Sequence, residues 1–121
     1  MKAVIDSDIL IDYLQGHPEA KVEIDRYSEP LFSIISWIEV MCGAENNTER
    51  AAAESLFQSM KCIELTTGVA RQAVIERKHR KLKLPDATIL ASADQEGCIM
   101  VTRNSKDFDS NDPRVRVPYS L

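Results

Sequence analysis

Cysteine is scarce in this chain: Cys42, Cys62 and Cys98 are widely spaced, and no two form a C-x-x-C pair. An odd, scattered set excludes a disulfide framework and a thiolate zinc site, and predicts three reduced, partly buried thiols. Histidine is scarcer still. His17 beside Gly16 reads as a loop residue, and neither it nor His79 has a second imidazole at ligand spacing. Long apolar runs are missing too, none approaching the roughly 20 residues that span a bilayer. Ahead of Asp6 stand only Ala3, Val4 and Ile5 as apolar residues beyond Met1, too few for the core of a secretory signal. These absences predict a cytoplasmic protein with no membrane partner. An excess of positive charge is lacking as well: 15 Lys and Arg against 19 Asp and Glu leave a net charge of −4. By its total the chain is not a nucleic-acid binder, although charge distribution matters more than the sum for a polyanionic partner.

What is present fits one domain over residues 1–121, with 44% apolar and 28% charged residues. Residues 2–6 (KAVID) read as a strand covered on both faces, since its apolar run is continuous. Asp8 is a candidate cap for the helix that follows, which stops at Gly16, and Pro18 opens a second short helix. A short strand at 31–34 leads into SIISWIEVMCGA (33–44), a largely buried helix. Asn47 or Thr48 caps a helix whose stripe is Ala53, Leu56, Phe57 and Met60. Residues 62–65 are a candidate strand, and Thr67 caps a helix running into a basic segment. Pro85 interrupts, Asp86 opens a further helix that ends at Gly97, and CIMVT (98–102) is a second all-apolar strand. VRV (115–117) is the last. Alternation of strand and helix throughout predicts an α/β fold, a parallel sheet with helices on both faces.

Four acids lie where carboxylates are costly. Asp6 ends the first strand, and Asp107 follows the strand at 98–102; carboxyl ends of strands are where open α/β sheets build their crevices. Glu39 shares a helical stripe with Ile35 and Cys42, which directs it toward the core side. Asp86 is in line with Leu90 and Ala93 at the start of an apolar helix. Each acid also has an ordinary reading. Asp8 and Asp86 suit helix caps, Glu39 suits an arginine partner at the edge of a buried face, and Asp12 suits solvent or a local pair. Two like charges about 4 Å apart repel by roughly 4 kcal/mol at an effective dielectric of 20, so converging carboxylates call for a divalent cation. Oxygen-only ligands point to Mg²⁺ or Mn²⁺ rather than zinc. Such an ion activates water and clamps a phosphate for in-line displacement.

VIDSDILIDYL, SIISWIEVMCGA, KLPDATILASA and IMVTRNSKDF, in that order and spacing, resemble the PIN-domain ribonucleases, and most closely the VapC-type toxins of toxin–antitoxin pairs. The resemblance covers essentially the whole chain. It implies a three-layer α/β/α sandwich around a parallel sheet of four to five strands, ordered 3-2-1-4-5. By position it implies that Asp6, Glu39, Asp86 and Asp107 are catalytic and metal-binding. Ser7, Thr102 and Asn104 are then the supporting polar residues. Some members carry aspartate where this chain has Asn104, so the fourth carboxylate must come from Asp107, and one well-held ion is the expectation. The implied activity is endonucleolytic hydrolysis of RNA, leaving a 3′-hydroxyl and a 5′-phosphate. The implied partners are RNA, a second copy in a homodimer, and a VapB-type antitoxin covering the active-site groove.

Arg77, Lys78, Arg80, Lys81 and Lys83, with His79 among them, lie just before Asp86. They suit contacts with an RNA backbone, or simply a helix end where cations oppose the dipole. Arg103 suits RNA or a neighbouring acid, and Trp37 suits a partner surface or the core. Two other functions compete. The pair Asp6 and Asp8 resembles the D-x-D of a haloacid-dehalogenase-type phosphatase, which leaves Glu39 without a role. A PIN-like binding module without catalysis is the other, and metal-dependent RNA cleavage separates it from the nuclease.

Overall fold

A computed structural model describes residues 1–109 and 111–121. Its elements run β1 (Lys2–Ile5), α1 (Ser7–Leu14), α2 (Pro18–Asp25), β2 (Glu29–Ser33), α3 (Ile34–Gly43), α4 (Asn47–Gln58) and β3 (Lys61–Ile63). They continue with α5 (Thr67–Arg80), α6 (Leu84–Glu96), β4 (Ile99–Val101) and β5 (Val115–Arg116). The five strands form one parallel sheet in the order β3-β2-β1-β4-β5. Fold class and strand order both match the sequence-based expectation.

The continuous apolar run of β1 explains its central place. Val4 packs with Leu31, Met100 and the inner faces of α5 and α6, whereas Ala3 and Ile5 pack with Ile9, Leu10, Ala20, Leu56 and Phe57 on the opposite side. Alternate side chains of one strand thus serve two cores, as a parallel sheet covered on both faces requires. On the second face Phe32 and Phe57 meet with ring centroids 4.5 Å apart, a tilted aromatic contact.

Caps fall earlier than the sequence suggests. Asp6, not Asp8, caps α1; Asn46 caps α4 and Thr66 caps α5, each accepting from a backbone N–H in the first turn. β1 ends at Ile5 and β3 at Ile63, sooner than the residue pattern implies, while α4 follows α3 through a short turn; this ambiguity is inherent where several capping residues adjoin. Pro85 does not interrupt. It sits in the first turn of α6, behind Lys83 at the cap position, where its missing N–H removes no helical bond. Between α5 and α6 the chain reverses through Lys81 in the left-handed conformation, φ 55°.

The expectation of a largely buried α3 is corrected. Ser36 and Val40 are its fully buried residues, one narrow i, i+4 stripe. Trp37, Ile38 and Glu39 are exposed, Trp37 at 40%. Asp12 is corrected too: it is neither solvent-facing nor paired locally, but 2% exposed.

Candidate active site

Where the strand order reverses, between β1 and β4, successive connections leave the sheet in opposite directions and a crevice opens beyond the carboxyl ends. Asp6 and Thr102 stand there side by side, one just past each strand. The Asp6 N–H extends the ladder to the Val101 carbonyl at 2.9 Å, which aims its side chain out of the sheet end. Oδ1 accepts from the Ser7 N–H at 2.7 Å and Oδ2 from the Thr102 hydroxyl at 2.7 Å. One carboxylate is therefore helix cap and site acid at once, and it is 6% exposed.

Ser7 connects the crevice to α3, its hydroxyl donating to Glu39 Oε1 at 2.6 Å. Glu39 does not point into the core as its stripe suggests; it reaches across the surface to the start of α1. Asp86, half-buried in the first turn of α6, and the exposed Asp107 complete the candidate set. Asn104 holds Asp107 from both ends: its Nδ2 donates to Asp107 Oδ2 at 3.0 Å, and its Oδ1 accepts the Asp107 N–H at 3.2 Å.

Asp8 belongs to this neighbourhood, which the four-acid nuclease reading left out and only the D-x-D alternative had set beside Asp6. Relieved of capping by Asp6, its Oδ2 accepts from the Arg103 N–H at 3.1 Å and lies 3.3 Å from the Thr102 hydroxyl. The available signal was strand geometry. If Asp6 ends β1, then α1 begins at Ser7, and Asp8 falls inside the first turn, facing the neighbouring strand end.

The acids feel one another. Burial and then the charge of Asp8 push the Asp6 carboxyl up to about 8, against the Thr102 and Ser7 hydrogen bonds, and Asp86 adds to the rise. Burial, then Asp107 and Glu39, raise Asp86; Lys83 opposes them and Asp8 reinforces them. Burial also raises Asp8, with the Arg103 and Ile9 backbone amides opposing. Five carboxylates thus converge electrostatically, with little positive charge among them. Among the described residues, no three His, Cys, Asp or Glu side chains are gathered closely enough to hold a metal ion as they stand. The donor chemistry nonetheless suits a hard divalent cation: it is all oxygen, over-negative, and set at one strand-end crevice.

Of the basic run, Lys83 is placed at the site beside Asp86. Arg77, Lys78 and Arg80 form the last turn of α5, and Arg80 contacts Asp112 at 2.7 Å. The guanidinium of Arg103 turns away from the crevice onto Asp12.

The model of the PIN domain matches residues 3–112. A chain of a toxin–antitoxin complex from Klebsiella pneumoniae is 36% identical, with a TM-score of 0.92 over 98% of this chain and 99% of that one. A chain of VapBC2 from Rickettsia felis, bound to a DNA fragment from its promoter, superposes with a TM-score of 0.81 at 16% identity, covering 96% of each chain. A chain of FitAcB from Neisseria gonorrhoeae gives 0.78 at 17% identity, over 98% of this chain and 99% of that one. At such identities these last two speak for the fold alone. Comparison with curated proteins gave no match. A family model spanning most of the chain, together with a 36% identical structure, decides the assignment: the chain belongs to the PIN-domain family and is related in sequence and structure to a chain of a toxin–antitoxin complex.

Proposed function

We propose that this protein is the toxin of a VapBC-type pair and acts as a Mg²⁺-dependent endoribonuclease, with Mn²⁺ as a substitute. The observation that carries this reading is the buried Asp6 at the sheet's reversal point, bonded by Ser7 and Thr102, with Asp8 bonded to the same Thr102 hydroxyl and with Glu39 tied to Ser7. A binding module gains nothing from such crowding, whereas a site that recruits a cation does.

Asp6, Glu39, Asp86 and Asp107 would hold the ion, with Asp8 as additional negative charge. A divalent cation bound there would supply an acidified water and a clamp for the scissile phosphate. The chain's own residues do the rest. The Thr102 hydroxyl and the Ser7 amide fix both oxygens of Asp6, so that carboxylate orients and does not shuttle protons. Ser7 ties Glu39 to α1. Asp107, exposed and oriented by Asn104, would take a proton from the attacking water. Lys83, beside Asp86, would meet an RNA phosphate, and Arg77, Lys78 and Lys81 would extend that track along the backbone, whereas Arg80 is held by Asp112 and Glu76.

The antitoxin has a surface suited to it. A groove of about 430 Å³ between α1, α3 and α4 is lined by Ile11, Leu14, Val40, Ala44, Ala52 and Ala53. Its apolar floor suits one face of an amphipathic segment, and Val40 directly follows Glu39. The second copy of a homodimer would cover apolar side chains elsewhere: Trp37 and Ile38 on α3, and Val74 and Ile75 on α5, are exposed.

The test is cleavage of a mixed-context RNA with Mg²⁺ or Mn²⁺, with and without chelator, alongside Asp6→Asn and Glu39→Gln. Metal-dependent cleavage leaving 5′-phosphates, lost in both variants, is expected. Tight RNA binding without cleavage by the native chain would instead identify a non-catalytic module.

A further inference from the structure

The turn at residues 102–104 serves the crevice three times. Thr102 donates to Asp6, the Arg103 amide donates to Asp8, and Asn104 orients Asp107 while its own N–H donates to Thr102 Oγ1 at 3.1 Å. Yet β4 ends at Val101, and the Thr102 N–H makes the last bond of that edge, to the Arg116 carbonyl at 3.0 Å. Past that point, something other than the sheet must hold the turn.

Asp12 supplies the hold. Its carboxylate is buried, and it accepts Arg103 Nε at 2.8 Å on Oδ2 and Nη2 at 3.1 Å on Oδ1. Tyr119 Oη donates a third bond to Oδ2 at 2.9 Å. Asp8 and Asp12 lie one helical turn apart on α1, on one face. One receives the backbone amide of Arg103 and the other its side chain. Two attachments on a rigid helix fix both the position and the rotation of residue 103, and with it the two polar residues flanking it. A bidentate guanidinium sets an angle that a point charge cannot.

We infer that Asp12 and Arg103 are a positioning pair for the candidate active site: their two-bond contact holds the 102–104 turn so that Thr102 and Asn104 orient Asp6 and Asp107. Arg103 thereby acts as a brace and not as an RNA contact. This rests on the nuclease reading for its catalytic consequence, though not for its structural one.

The test compares the native chain with Arg103→Lys, Asp12→Asn and the double variant Asp12→Asn/Arg103→Lys, with no partner added. Amide exchange at residues 103 and 104 and steady-state RNA cleavage are both read. Arg103→Lys is expected to remain folded and to lose roughly tenfold protection at the turn amides. Its kcat should fall roughly 10- to 100-fold, the cost of a slightly misplaced site, with KM for RNA changed by less than about twofold. The double variant should be no worse in kcat than the worse single variant, because the pair acts as a unit. A raised KM with a salt slope reduced by about one would make Arg103 a phosphate contact and overturn the pair. Unchanged turn amides and kcat, with only a lower melting temperature, would reduce it to a fold brace and overturn it equally. Should Asp12→Asn fail to fold, Arg103→Lys decides alone. Absence of cleavage by the native chain would sink the nuclease reading, while the turn amides would still report on the brace.

Discussion

Thr102 donates its hydroxyl to Asp6 at 2.7 Å although 96 residues separate them. Parallel pairing of β1 with β4, Ile5 opposite Val101, brings the two together. The residue just past each strand end therefore meets its neighbour at the crevice. Replacing Thr102 by Val keeps the shape and leaves the buried Asp6 Oδ2 without that donor. A loss of about 1–3 kcal/mol in denaturant unfolding is expected. Cleavage should fall, and Thr102→Ser should recover most of both.

Asp6 makes the ion-free protein sensitive to alkali. Its folded pKa lies near 8, above the ordinary 3.8, so the folded chain holds that proton more tightly than the unfolded one. The resulting stabilisation is complete below 3.8 and disappears as pH rises through 8. Asp86, shifted the same way, adds to the trend. Melting temperature measured in chelator should thus decline between pH 5 and 9. Asp6→Asn should flatten that decline, because the amide still accepts from Ser7 and needs no counter-charge.

A divalent cation should reverse this loss. Binding only the folded form raises stability in proportion to log concentration once the site fills, and ligands must shed their protons first. Millimolar Mg²⁺ or Mn²⁺ is expected to raise the melting temperature at pH 8 by several degrees and far less at pH 5. Asp86→Asn and Glu39→Gln should each shrink the shift. A pH-independent shift, equal in all variants, would mean that the ion binds elsewhere.

Acid should act through a different carboxylate. Glu23, 3% exposed, accepts from Arg116 at 2.8 and 3.1 Å, from Tyr27 at 2.6 Å and from Arg26 at 3.1 Å. Burial alone would raise it, but the Arg116 and Tyr27 hydrogen bonds and the arginine charges hold it below the ordinary 4.5. Its stabilisation is complete above 4.5 and lost as pH falls through the lower folded value. Arg116→Ala should cost about 2–3 kcal/mol at pH 7, less than a fully broken buried pair because Arg26 and Tyr27 remain. That cost should vanish toward pH 2, as urea unfolding at both pH values would report.

Alternation of apolar strands with helices made the sheet legible, and the resemblance of four motifs supplied its order. Asp6, Asp86 and Asp107 were legible as strand-end or helix-start acids, since those positions are set by the chain's own periodicity. Glu39 was readable as a candidate but not in its direction. A stripe argument assumes that the apolar side of a helix faces the body, and α3 breaks that assumption by leaving Trp37 and Ile38 outside. Asp8 and Asp12 were hidden for another reason. Their partners lie 91 to 107 residues away, at Arg103 and Tyr119, and no local pattern encodes a contact across the sheet. The basic run was conspicuous in sequence, yet Arg80 is engaged with Asp112 and Glu76, because a helix C-terminus and a buried acid both compete for it.

After β4 the chain grips the body through arginines more than through its ladder, for β5 pairs over just two residues. Arg103 holds Asp12 of α1, Arg114 holds Glu76 of α5, and Arg116 holds Glu23 of α2. Cutting the polypeptide after Phe108 would spare every proposed cation ligand. It would also strip Arg116 from Glu23 and Arg114 from Glu76, leaving those buried acids with only Arg26, Tyr27 and Arg80. Such a shortened product should show no cooperative melting by circular dichroism, so the tail is less an appendage than the clasp that shuts the molecule.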